Sequence, residues 1–290
     1  MKDTTTTIYL VCILVKLSSA LLGGSTCYTS NERIRIHHDQ GTGKVTTLFG
    51  GYDATISQSD PKTPIQVFSN GPLCPYSAQV VTLLNELKLP FEVTKISQPC
   101  PDWYLRINPK GSVPALRNPL DGNEIISASK ACLNYACDFY ERTRASPCPM
   151  LPVESETREK IFSLQDTFDR YISRALHSYL LNEDPGQEQY LKQMVDAYLM
   201  SLESSIVSSG ELFLLGYELT LADLHIFPLL SRIEIALMNR KGYHISKEFP
   251  KVGNWLLFMH DRTASVLEIQ VSETDIMNNY QEFLEGLHGR

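Results

Sequence analysis

A short apolar run, Ile65-Gln66-Val67-Phe68, is followed by Cys74-Pro75-Tyr76-Ser77 and then by a helical pattern reaching about Leu89. This succession of strand, turn and helix start constrains the chain more than any other feature. Pro75 falls at the first helical position, where its missing N–H removes no intrahelical bond. Cys74 therefore falls at the cap. There its sulfur faces backbone N–H groups that have no partner within the helix, and the positive end of the helix dipole. Both favour thiolate over thiol, so the position predicts a nucleophilic sulfur.

The following residues predict a sheet around this helix. Leu89-Pro90 is a stop signal. Phe91 to Ile96 alternates apolar and polar, the period of a strand. Asp102 to Ile107 reads as a short helix closed by Asn108-Pro109. In Gly111-Ser112-Val113-Pro114-Ala115-Leu116, a cis proline at a turn into an edge strand reconciles Pro114 with the strand it enters. Asp121-Gly122 signals a hairpin turn. Glu124-Ile125-Ile126 is the next strand, and Ser129 can cap a helix running to about Tyr140. The order is strand, helix, strand, helix, strand, strand, helix, which is thioredoxin-like. Ser77 stands where the second cysteine of a C-x-x-C pair would stand. A lone thiolate forms a mixed disulfide that an external thiol must resolve. The pattern thus predicts a one-cysteine thiol transferase that uses glutathione.

Residues 142–153 contain Pro147, Pro149 and Pro152 and read as a linker. Residues 154–290 read as helices. Ile161, Leu164, Phe168, Ile172 and Leu176 repeat at three and four. The segment from Thr220 to about Leu237 is apolar on most faces and predicts a buried central helix. Thr220 and Asp223 form a variant capping box, flanked by Leu219 and Leu224 as a staple, which predicts a structural role.

Together these residues resemble a glutathione transferase, an α/β thioredoxin-like N-terminal domain (residues 64–141) joined to an all-α C-terminal domain. The class it resembles most is omega, whose hallmark is a catalytic cysteine in a Cys-Pro-aromatic motif. The matching residues are Cys74-Pro75-Tyr76, Pro101-Asp102-Trp103, Asn108-Pro109, Gly111, Val113-Pro114-Ala115-Leu116 and Leu219 to Leu224. Phe227-Pro228, Arg232, Glu234, Pro250-Lys251-Val252 and Trp255 follow in the same order. The resemblance implies glutathione as co-substrate, Cys74 as the catalytic nucleophile, and small oxidised or disulfide compounds such as dehydroascorbate as substrates. It implies that the backbone of Val113, held by Pro114, pairs with the cysteinyl part of glutathione. It also implies that a Glu-Ser pair receives the γ-glutamyl end. Here that pair is Ala128-Ser129, which keeps the hydroxyl but not the carboxylate, or in another register Ser127-Ala128. Cys100 replaces a lysine of the family pattern. Family members are commonly dimers, so a homodimer is expected.

Composition narrows the alternatives. A net charge of −7 over 290 residues leaves no basic footprint for nucleic acid. No zinc spacing joins the cysteines and histidines, so no metal is expected. Ile8 to Val15 is apolar, Lys2 precedes it, and Ser18-Ser19-Ala20 offers small residues for cleavage. Residues 1–20 therefore resemble a secretory signal peptide, with an uncleaved extension and a cytoplasmic protein as the other reading. The apolar stretch is too short for a stable membrane span. Residues 21–63, rich in Gly, Ser and Thr, read as a flexible extension. Cys132 and Cys137 lie five apart on a predicted helix and do not share a face, so they read as core residues and not as a pair. The departures at Ala128 and Cys100 fit a second function, a non-enzymatic secreted binding protein of the same fold. The Cys74-Pro75-Tyr76-Ser77 motif is shared with the intracellular chloride channel proteins and gives a third, a membrane-active relative of these, against which the omega-like second half weighs.

Overall fold

The computed structural model describes residues 35–39, 44–48, 64–97, 99–206, 212–262 and 271–288. The signal-like segment 1–20 lies outside them. Part of the expected flexible extension does not: Arg35–Asp39 (β1) and Lys44–Leu48 (β2) pair as an antiparallel hairpin. Gly41-Thr42-Gly43 lies between the two strands, a composition that suits a turn.

Four further strands complete one six-stranded sheet: Ile65–Ser69 (β3), Phe91–Lys95 (β4), Ala115–Arg117 (β5) and Ile125–Ser127 (β6). Their order is β1-β2-β4-β3-β5-β6, with β3 and β4 parallel and every other pair antiparallel. Three helices belong to this half: Pro75–Glu86 (α1), Asp102–Ile107 (α2) and Ser129–Arg144 (α3). The alternation of strand side chains separates the two faces. Val67 and Leu116 join Val80 and Leu83 of α1 and Leu133 and Ala136 of α3 in the main core. Their neighbours Phe68 and Ala115 turn the other way, onto Tyr104 of α2. Strand β5 is flanked by β3 and β6, so it is interior and not the expected edge. Pro114 precedes the ladder and takes no donor from it. Helix α3 extends past Tyr140 to Arg144 and ends on Ala145 in the left-handed region.

The second half is helical, as expected: Ser155–Thr167 (α4), a π-turn at Phe168–Ile172, Ser173–Leu181 (α5), Pro185–Ser205 (α6), Leu221–Lys241 (α7), Ile245–Glu248 (α8), Pro250–Arg262 (α9) and Glu273–His288 (α10). Ile161, Phe168, Ile172 and Leu176 are buried along one continuous face. Helix α7 is the central helix, buried through most of its length. Its start is held by Asp223, which is wholly buried and accepts four hydrogen bonds. The donors are Leu214 N, Thr220 N, Thr220 Oγ1 and Trp255 Nε1, at 2.7–2.9 Å. Helices α8 and α9 approach closely at Gly253, where a Cβ would lie 2.7 Å from the Ser246 carbonyl oxygen.

One hydrophobic core runs through both halves. Polar contacts reinforce the junction: Gln79 Nε2 of α1 donates to the His225 carbonyl of α7 at 2.5 Å, and both residues are buried. No helix among the described residues is long and apolar enough to cross a membrane.

Candidate active site

Cys74 is the residue immediately before α1, with an extended backbone (φ −74°, ψ 112°). Its carbonyl accepts from Ala78 N at 3.0 Å, and its N–H donates to the Gly71 carbonyl at 3.2 Å. Gly71 adopts φ 111°, a region that favours glycine. The turn therefore delivers a half-buried sulfur to the first turn of α1. Ser77 lies one turn along and is buried, so it leaves no second reactive group beside Cys74.

A charge held against this turn comes from the other half of the molecule. Arg232 of α7 is 5% exposed. Its Nη2 donates to the Pro72 carbonyl at 2.6 Å, and its Nη1 to the Pro228 carbonyl at 2.5 Å. Burial pushes the guanidinium down to about 10, and the sulfur of Cys74 and the phenol of Tyr280 act against that fall. A buried cation thus grips the loop two residues before the sulfur and remains charged at neutral pH. Two phenols share this environment. Tyr76 is raised by burial, then by the Asp169 carboxylate and by Cys74. Tyr280 of α10 is raised mainly by burial. Both stay protonated near neutrality and can donate hydrogen bonds. Asp169, in the π-turn, also receives His225 Nε2 at 2.8 Å. Interruptions of this kind often mark functional positions in helices.

Val113 and Pro114 are joined by a cis peptide bond. The loop before them is pinned by Tyr104 Oη and Asn108 Nδ2, which both donate to the Ser112 carbonyl, at 2.7 and 2.8 Å. The backbone N–H and C=O of Val113 have no partner among the described residues. Ala128 is the residue before α3, and Ser129 is its first helical residue. Ala128, and not Ser129, therefore holds the cap position. Ala128 takes φ 81° and makes no side-chain cap, which leaves the first amides of α3 open to an external acceptor. Lys130, in that first turn, is engaged by Asp166 of α4. Cys100 lies near the same loop, with Gly111 between: a Cβ on Gly111 would stand 3.3 Å from the Cys100 sulfur.

The sheet register brings these pieces together. Phe68 faces Ala115, and Ala115 faces Ser127. The end of β3 that leads to the Cys74 turn, the start of β5 after Val113-Pro114 and the end of β6 before α3 therefore lie at the same end of the sheet. The residue that sequence reasoning missed in function is Arg232. Its signal in the sequence is a cation in the middle of an otherwise apolar stretch, well before the Arg240-Lys241 end of the helix. Among the described residues, no cluster of histidines, cysteines and carboxylates could hold a metal ion.

Comparison with known proteins agrees with this geometry. Residues 73–138 match the glutathione S-transferase N-terminal domain, and residues 166–264 match the glutathione S-transferase C-terminal domain. The chain is 30% identical to the probable cytosolic glutathione S-transferase DHAR1 of Oryza sativa subsp. japonica, over 62% of this chain and 76% of that one. It is 24% identical to glutathione S-transferase omega-1 of Sus scrofa, over 76% of this chain and 86% of that one. Glutathione transferase Omega 3C from Trametes versicolor superimposes with a TM-score of 0.68 at 20% identity, covering 80% of this chain and 95% of that one. With both domains matched in order and the sheet and helices arranged as described, the chain belongs to the glutathione S-transferase family.

Proposed function

We propose that the protein is a glutathione-dependent thiol transferase and dehydroascorbate reductase of omega type, with Cys74 as its single nucleophile. The observation that carries this reading is the placement of Cys74 at the start of α1, near the buried Arg232. Val113 takes the cysteinyl part of glutathione by a short strand addition. The first turn of α3, with Ser129, receives the γ-glutamyl carboxylate.

In the reaction, the Cys74 thiolate attacks the glutathione sulfur of a mixed disulfide. The Cys74–glutathione bond forms, the substrate's disulfide breaks, and the substrate leaves as a thiol after taking a proton. A second glutathione thiolate then attacks the glutathione sulfur on Cys74, forming glutathione disulfide and restoring the thiolate. Two electrons pass from glutathione to substrate, and Ser77, buried and without sulfur, takes no part. Cys74→Ala should abolish transfer from a glutathionylated peptide, and Cys74→Ser should do nearly the same. Activity retained in Cys74→Ala would reject the mechanism.

A second reading is favoured by Ala128, which offers no carboxylate to glutathione: a protein of this fold that binds without catalysis. A correctly folded protein that is dead in the transfer assay would support this second reading. Retention on immobilised glutathione would count against it. The proposal extends to export and dimerisation. The mass of the mature chain would report removal of residues 1–20, and sedimentation would report a homodimer.

A further inference from the structure

Two thiols far from the Cys74 chemistry stand in bonding range of each other. Cys137 is on α3, facing the core, and Cys148 is in the proline-rich segment between the two halves. Each is 1% exposed, and their sulfurs are 2.9 Å apart. A disulfide bond is about 2.05 Å long, so closing it needs under about 1 Å of sulfur movement. The segment bearing Cys148 is held against α3 independently of the sulfurs. The Cys148 N–H donates to Glu141 Oε1 at 3.1 Å, and the Cys148 carbonyl accepts from Leu151 N at 3.0 Å.

We propose that Cys137 and Cys148 form a disulfide that ties α3 to the segment joining the two halves. The reaction starts at Cys148, on the connecting segment, while that segment is still open to small molecules. The oxidant is a low-molecular-weight disulfide such as glutathione disulfide, met as the segment closes during folding. The Cys148 thiolate attacks one sulfur of that disulfide, forming a mixed disulfide and expelling the first small thiolate. Cys137 then gives up its proton and attacks the Cys148 sulfur, forming the internal bond and expelling the second. The protein loses two electrons and two protons, and the small disulfide leaves as two thiols.

The bond has a mechanical consequence. Met150, two residues beyond Cys148, accepts from Leu221 N at the start of α7 at 2.8 Å. A Cys137–Cys148 link would fasten α3 to the segment on which α7 begins.

The test is refolding of the full chain in a buffer of reduced and oxidised glutathione, followed by alkylation in denaturant and peptide mapping without reductant. The expected product is a cross-linked peptide joining Cys137 to Cys148. Added reductant should then lower the Tm by roughly 5–10 °C, as expected for a short closed loop in a chain of this size. Cys137→Ala and Cys148→Ala should each abolish that reductant dependence. Recovery of both cysteines alkylated, or each carrying glutathione, would overturn the proposal. So would the same reductant-dependent Tm shift in the two variants. If a variant does not fold, the peptide map of the parent protein decides alone.

Discussion

Restoring the missing carboxylate at Ala128 should tighten glutathione binding. Ala128 is exposed at the start of α3, with φ 81° and ψ 135°. This backbone already costs an L-residue about 1–3 kcal/mol. Glutamate has the same Cβ and adds no further backbone penalty. The new carboxylate would meet the ammonium of the γ-glutamyl end. A charge-assisted hydrogen bond contributes about 1.5–3 kcal/mol when shielded, and exposed pairs fall to about 1 kcal/mol or less. Because Ala128 is exposed, a gain of at most about 1 kcal/mol is expected, or up to roughly 5-fold in Kd. Titration calorimetry with reduced glutathione on Ala128→Glu measures it directly. The KM for glutathione should fall with kcat unchanged, since the contact is equal in ground and transition states. The gain should shrink at high salt. Ala128→Gly relieves the backbone without adding charge and should leave Kd unchanged. If folded Ala128→Glu binds glutathione no more tightly than the parent, the γ-glutamyl end does not lie at α3 and the site is wrongly built.

Three further outcomes follow from the geometry. Arg232→Met removes both hydrogen bonds that hold Pro72 and Pro228, so kcat/KM for thiol transfer should fall at least about tenfold while the circular dichroism spectrum is kept. An unchanged rate would remove Arg232 as a positioning residue. Asp223→Ala strands four buried donors and should cost about 3–5 kcal/mol, seen as a Tm lower by roughly 10 °C. Arg142 and Tyr135 bind Asp121 at the β5–β6 turn and hold its carboxyl below the usual carboxylate range, Arg142 contributing most. A carboxyl lowered on folding stabilises above its unfolded value, and that contribution is lost as pH falls through the lower folded value. Asp121→Asn should therefore remove a small stabilisation, at most about 1 kcal/mol, seen in urea melts at neutral pH and absent in strong acid.

The sheet half was legible because its signals are local. Pro75, Asp121-Gly122 and the alternation of Phe91 to Ile96 each act within a few residues. So was α7, whose Thr220–Asp223 box can be read without knowing that Trp255 completes it. The hairpin at residues 35–48 was lost because its first strand, Arg35-Ile36-His37-His38-Asp39, is polar and lacks alternation. It is a strand because β2 pairs with β4. That Ala128 and not Ser129 caps α3 was not legible, since serine is the commoner cap and alanine a poor one. Arg232 and Pro72 are 160 residues apart, and only the packing of α7 on α1 joins them. Cys137 was compared with Cys132 on its own helix, whereas its partner Cys148 lies beyond the helix end.

The grip of Arg232 on Pro72 also makes the reactive turn answerable to the whole molecule. The sulfur belongs to one folding half, while its anchor and its counter-charge belong to the other. Loosening the seam, by heat, by substitution or by a ligand wedged between the halves, would slacken the turn with it. Reactivity of Cys74 towards a thiol reagent would then serve as a gauge of how firmly the two halves are seated.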